Sequence, residues 1–246
     1  MARQIKRRIF AGAVCDQIVY TVGDNIRSIE KAKPRVRFKT EQERAEHRRL
    51  ISRRKHARMF NENYGPSSLY GTLTFSNEYE VHTFEEARKV RDNYFRRLTY
   101  AYPEAKVNIY MGRGKGTNRI HFHIVCDGIP EEAIVNKWKC GEVTHVRNLR
   151  ENNYYEGKNC GQDYTGLANY LFDHWTEEQG GHRYKYTRKT IRIPEPEKAT
   201  ECKRRYRVDM PPVCPEGYVF IRCDYNRYGY MCFHYVKKPK AGRKKE

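Results

Sequence analysis

Residues 119–126, RIHFHIVC, restrict the fold more than any other stretch of the chain. Side chains alternate across a strand, so Ile120, Phe122 and Ile124 share one face while His121 and His123 share the other. The two imidazoles then start from Cα atoms about 7 Å apart. Such a strand suits a sheet with one apolar face covered and one polar face open. The cover has to come from amphipathic helices.

The flanking sequence supplies them. Residues 68–75, SLYGTLTF, read as a strand with Leu73 and Phe75 on one parity and Thr72 and Thr74 on the other. Thr83-Phe84-Glu85-Glu86 is a capping box. Phe84, Ala87, Val90, Tyr94, Leu98 and Ala101 follow at three- and four-residue steps before Pro103, which predicts an amphipathic helix. Residues 106–111 make a second strand, the glycine-rich residues 112–118 a turn, and the histidine segment a third strand. Pro130 opens a short helix to about Trp138 with Glu131 and Glu132 in its first turn, and residues 142–146 make a fourth strand. The order β-α-β-β-α-β predicts an α+β, ferredoxin-like antiparallel sheet with both helices on one face and the histidine strand in the middle. A further helix is expected over residues 165–178.

Outside this frame the sequence changes character. More than half of the net charge of +19 falls before residue 62. Thr40-Glu41-Gln42-Glu43 caps a helix rich in arginine, so residues 1–62 read as a basic N-terminal arm and helix that buries little. Residues 63–196 form the central domain. Residues 197–246 read as a C-terminal extension with a β-hairpin, turning near residues 226–229, and a basic tail.

Charge and aromatic content together point to a partner. Forty-nine Lys and Arg, with 20 Tyr and 10 Phe among them, supply phosphate contacts and stacking planes for single-stranded nucleic acid. Eight cysteines without a CxxC pair write no zinc ribbon. With no run of transmembrane length and a mean hydropathy of −0.97, the expectation is free thiols, no membrane and a cytoplasmic setting.

Two neutral imidazoles on one strand face can converge on a divalent cation. The segments YGTLTF, RIHFHIV and GLANYL, in that order, resemble three motifs of the HUH endonuclease superfamily, with Phe122 between the histidines. The resemblance spans roughly residues 64–196 and is nearest to the rolling-circle replication initiators of phages and plasmids related to filamentous-phage gene II proteins. It implies a site-specific nicking and joining endonuclease for single-stranded DNA at a replication origin. Tyr170 is implied as the nucleophile that forms a 5′-phosphotyrosine, and His121 and His123 as ligands of Mn²⁺ or Mg²⁺. It also implies a bacterial host cell that supplies helicase and polymerase. Arg113, Lys115, Arg119, Arg183 and Lys185 are the expected DNA contacts.

Two departures accompany the resemblance. Asp173 stands where the family's YxxK motif has lysine, and the strand before the histidines carries no acidic ligand, leaving Glu78, His82 and His145 as distant candidates. Tyr164 is the second-choice nucleophile. A non-catalytic single-strand binding module with the same sheet, and a transposase or relaxase using the same parts, remain as alternatives.

Overall fold

The computed structural model describes residues 3–23, 28–32, 38–79, 81–114, 116–174, 182–226 and 229–238. In chain order these carry strands β1 (Arg3–Ala11) and β2 (Val14–Val22), helix α1 (Glu41–Asn63), strand β3 (Leu69–Thr74) and helix α2 (Phe84–Ala101). Strands β4 (Lys106–Arg113) and β5 (Ile120–Asp127), helix α3 (Glu131–Lys137) and strands β6 (Val143–Asn148), β7 (Asn153–Tyr155) and β8 (Lys158–Gly161) follow. Helix α4 (Thr165–Asp173) and strands β9 (Tyr184–Tyr186), β10 (Thr200–Glu201), β11 (Tyr218–Asn226) and β12 (Tyr230–Lys237) complete the series. The fold is α+β, and its paired strands run antiparallel. Two compact units divide the chain. One comprises Met1–Glu62, Asn152–Asp163 and Ile193–Glu246, the other Asn63–Glu151 and Tyr164–Arg192.

In the histidine-bearing unit the strand order is β6-β3-β5-β4-β9, with β5 at the centre. Leu73, Ile109, Met111, Phe122 and Ile124 on one face pack with Phe84, Ala87, Tyr94 and Leu98 of α2 and Ala133 and Ile134 of α3. Each large side chain buried there contributes about 1.5–3 kcal/mol. Helix α2 starts where the capping box places it. The Glu86 N–H donates to Thr83 Oγ1 at 3.2 Å and Glu86 Oε2 accepts from the Thr83 N–H at 3.3 Å. His121 and His123 therefore project from the side of β5 opposite these helices. Their register neighbours are Thr74 and Gly112 for His121, and Thr72 and Tyr110 for His123.

The other unit corrects the reading of both chain ends. Its sheet order is β10-β1-β2-β12-β11, so the expected basic arm begins as a hairpin that pairs with the C-terminal hairpin. Residues 1–62 and the extension are parts of one sheet-based unit. The arginines of β1 suggest a basic arm, yet Ile5 and Ile9 beside them are buried with Ile18 and Val22 of β2. Helix α1 does begin at its box, the Glu43 N–H donating to Thr40 Oγ1 at 3.1 Å. Its C-terminal part is not a solvated surface, since residues 56–61 are buried. Gly12, at φ +59°, turns β1 into β2 where a Cβ would lie 2.1 Å from the Asn61 carbonyl oxygen, so only glycine permits this approach. Strands β7 and β8 pair as a short antiparallel hairpin.

That burial encloses an ionic chain. Arg58 Nε donates to Asp16 Oδ2 at 2.6 Å. His234 places Nδ1 2.8 Å from Asp16 Oδ1 and Nε2 2.9 Å from Asp163 Oδ2. Both ring nitrogens face carboxylate oxygens, so the imidazole is doubly protonated. Burial opposes that charge, but hydrogen bonds and attraction from both carboxylates prevail and raise its pKa to about 9. Burial likewise opposes the Asp16 charge, and His234 and Arg58 hold it below the usual carboxylate range.

All eight cysteines are free. Among the described residues, no helix is long and apolar enough to cross a membrane. The basic tail from residue 239 and residues 175–178 of the expected helix lie outside the described residues.

Candidate metal centre

Three imidazoles meet on the open side of β5. His121 and His123 come from the strand, and His174 directly follows the last residue of α4. One ligand-capable nitrogen from each lies within 4.8 Å of the others. His121 Nε2 is 3.2 Å from His123 Nε2. Metal–nitrogen bonds of about 2.0–2.1 Å in tetrahedral array set ligand nitrogens about 3.3 Å apart, so this spacing fits two ligands of one cation.

Hydrogen bonds at the outer nitrogens orient the rings. His123 Nδ1 lies 2.9 Å from Tyr70 Oη and 3.2 Å from Thr72 Oγ1. His174 Nδ1 donates to the Tyr170 carbonyl at 3.0 Å, and His121 Nδ1 faces the Arg119 carbonyl at 3.5 Å. With Nδ1 as the protonated nitrogen, each Nε2 carries the lone pair a cation needs. Burial is the main cause that lowers the basicity of His121. Burial, with the positive charges His121 and His174 can carry, pushes His123 down to about 3. Neutral rings at ordinary pH are ligands that need not first lose a proton.

Gly112 shapes the cradle. A Cβ at this position would lie 2.6 Å from His174 Cδ2 and 3.2 Å from His121 Nε2. Its φ is not positive, so the demand for glycine is one of space.

Tyr170 stands at the rim. Its ring centroid lies 4.2 Å from that of His174 and 5.9 Å from that of His123, and the residue is 51% exposed. An exposed phenol beside three imidazoles has room to meet a phosphodiester. Tyr164 has none, because it is buried at the start of α4 with its hydroxyl donating to the Arg150 carbonyl at 3.0 Å. Burial raises its pKa to about 12.

The basic residues expected around the DNA are less concentrated here. Arg113 lies over the Phe84 ring on the helix-covered face, 4.7 Å from its centroid. Lys185 sits 3.7 Å from Asp92 and 5.5 Å from the Phe95 centroid, also on the α2 side. Arg119 donates to the Phe75 carbonyl at 2.9 Å, and Arg183 lies 4.4 Å over the Phe172 ring of α4. Lys115 lies outside the described residues. Glu78, His82 and His145 are not part of the three-histidine group.

The sequence reading did not pick out His174 or Tyr70. His174 is four residues after Tyr170 on a helix, so a shared helical face was already a readable signal. Tyr70 has the parity of Thr72 and Thr74, and its ring stacks on His123 at 5.7 Å with planes 18° apart. No family model matches the chain, and comparisons with curated proteins and with solved structures found no match.

Proposed function

We propose that the chain is a metal-dependent endonuclease of the HUH kind, which nicks and rejoins single-stranded DNA through Tyr170 to start rolling-circle replication of a phage or plasmid. One observation carries this reading: three convergent imidazoles with an exposed phenol 4.2 Å, ring to ring, from one of them. The strand order β6-β3-β5-β4 and the placement of α2 and α3 accord with the ferredoxin-like frame that the resemblance implies.

The residues present suit a divalent cation, since the Nδ1 atoms are engaged and Gly112 leaves space between the rings. His121, His123 and His174 would hold it, and imidazole donors favour Mn²⁺ or a heavier ion over Mg²⁺. When bound, it supplies Lewis-acid withdrawal of charge from the scissile phosphate. Tyr170 Oη then forms a bond to phosphorus as the bond from phosphorus to the 3′-oxygen breaks. The phenolic proton leaves to solvent and the departing 3′-oxygen takes one up, giving a 5′-phosphotyrosine and a 3′-hydroxyl that a polymerase can extend. Rejoining is the reverse attack. Tyr70 and Thr72 keep His123 oriented throughout.

The test is covalent capture. Labelled single-stranded oligonucleotides tiling a candidate origin, incubated with protein and Mn²⁺, should yield an adduct stable on a denaturing gel. Tyr170→Phe should abolish it while DNA is still retained on filters, and joint replacement of His121 and His123 by alanine should do the same. An adduct that persists in Tyr170→Phe refutes the nucleophile. Retention of DNA without an adduct at any origin sequence or metal leaves a binding module instead.

A further inference from the structure

We propose that Arg147 is the phosphate-binding cation of the Tyr170 site, in the role for which the sequence offers no lysine after the tyrosine. The proposal rests on the nicking reading above. Asp173, exposed, holds the position three residues after Tyr170 and brings the wrong charge for a phosphate. Of the other candidates, Arg113 and Lys185 are turned to the helix-covered face, and Arg183 is laid over Phe172. Arg119 donates to the Phe75 carbonyl, and among the described residues a further arginine reaches the histidine side of the sheet.

Strand β6 provides it. Arg147 is the register partner of Tyr70 across the β3–β6 pair, and its guanidinium lies 5.8 Å from the Tyr70 ring centroid. Tyr70 in turn stacks on His123 and contacts its Nδ1, so Arg147 belongs to the same face as the imidazoles. Arg147 is exposed, and among the described residues no ion pair engages it. A guanidinium held by an aromatic plane keeps its planar fork free for two phosphate oxygens, which an ammonium cannot match.

The ligand is a non-bridging pair of oxygens on the scissile phosphodiester or the one next to it. In single-turnover adduct formation at saturating oligonucleotide, Arg147→Gln should slow the step by about 10²–10³-fold, and Arg147→Lys should restore part of the loss. Mn²⁺ affinity should stay at the wild-type value, which separates phosphate binding from damage to the histidine cluster. A second arm needs no chemistry. The slope of log Kd for single-stranded DNA against log salt should fall by about 0.7 in Arg147→Gln, as one lost phosphate contact demands.

Wild-type rate and wild-type salt slope in Arg147→Gln overturn the proposal. Absence of an adduct with the wild type overturns the nicking reading instead, and the salt slope then still decides whether Arg147 contacts phosphate.

Discussion

Replacing Gly112 by alanine tests the metal cradle with a single methyl group. The new Cβ would stand 2.6 Å from His174 Cδ2, whereas ordinary contact begins near 3.4 Å. The His174 ring therefore has to retreat by about 1 Å, several times the ±0.2 Å that metal–ligand distances tolerate. One of three candidate ligands is displaced, and the affinity for Mn²⁺ or Co²⁺ should fall by at least the 10–100-fold typical of lost ligand orientation, about 1.4–2.7 kcal/mol. Because the φ of Gly112 is not positive, alanine adds no backbone strain, and the thermal midpoint of the metal-free protein should hold. Isothermal titration with each metal measures the affinity. The decisive control is His174→Ala, which removes the severest clash and leaves only the 3.2 Å approach to His121 Nε2: adding Gly112→Ala to it should cost much less than Gly112→Ala costs alone, a non-additivity that a general disturbance of β4 would not produce. Wild-type affinity in Gly112→Ala, or full additivity with His174→Ala, would falsify the assignment of His174 as a ligand.

The buried chain Arg58–Asp16–His234–Asp163 makes a separate pH prediction. A pKa raised from 6.5 to about 9 means that His234 stabilises fully below pH 6.5 and that this contribution, about 3 kcal/mol, is lost as pH rises through 9. His121 and His123, with lowered pKa values, titrate below this window, and the buried thiols titrate above 9. Urea unfolding of His234→Gln at pH 6.5 should show a loss of about 3–5 kcal/mol, and the decline of stability from pH 6.5 to 8.5 should flatten. An unchanged slope would mean that the imidazole is neutral. Tyr164→Phe removes the bond to the Arg150 carbonyl, so stability should drop by about 1 kcal/mol while adduct formation proceeds at the wild-type rate. A lost adduct with an intact fold would transfer the nucleophile to Tyr164.

The legible parts of the fold are those written in local pattern. Alternation over residues 119–126 placed both histidines on one face because strand geometry leaves no other option, and the box at Thr83 marked the start of α2 because its donors lie within one turn. The N-terminal hairpin was obscure for the opposite reason. Cys15 of β2 pairs with Tyr235 of β12, more than two hundred residues away, and no short window contains that information. In β1 the charges of Arg3, Lys6, Arg7 and Arg8 mask the spacing of Ile5, Ile9 and Ala11, which share one face and are buried. At the site, the YxxK pattern points to the residue three after Tyr170, whereas His174, four after it, is the one that shares the helical face. Arg147 could not be found at all without the β3–β6 register, since only that pairing sets it over Tyr70.

The placement of β12 between β2 and β11 also has a consequence during synthesis. Strand β2 leaves the ribosome early and has β1 on one edge, but its other edge waits for residues 230–237. At about 5–20 residues per second that wait lasts about 10–40 s. For that time a bare edge, eight of whose nine residues are buried in the finished protein, must be kept from pairing with other nascent chains. Yield of this protein should therefore respond to chaperone supply and translation speed as well as to the stability of the completed fold.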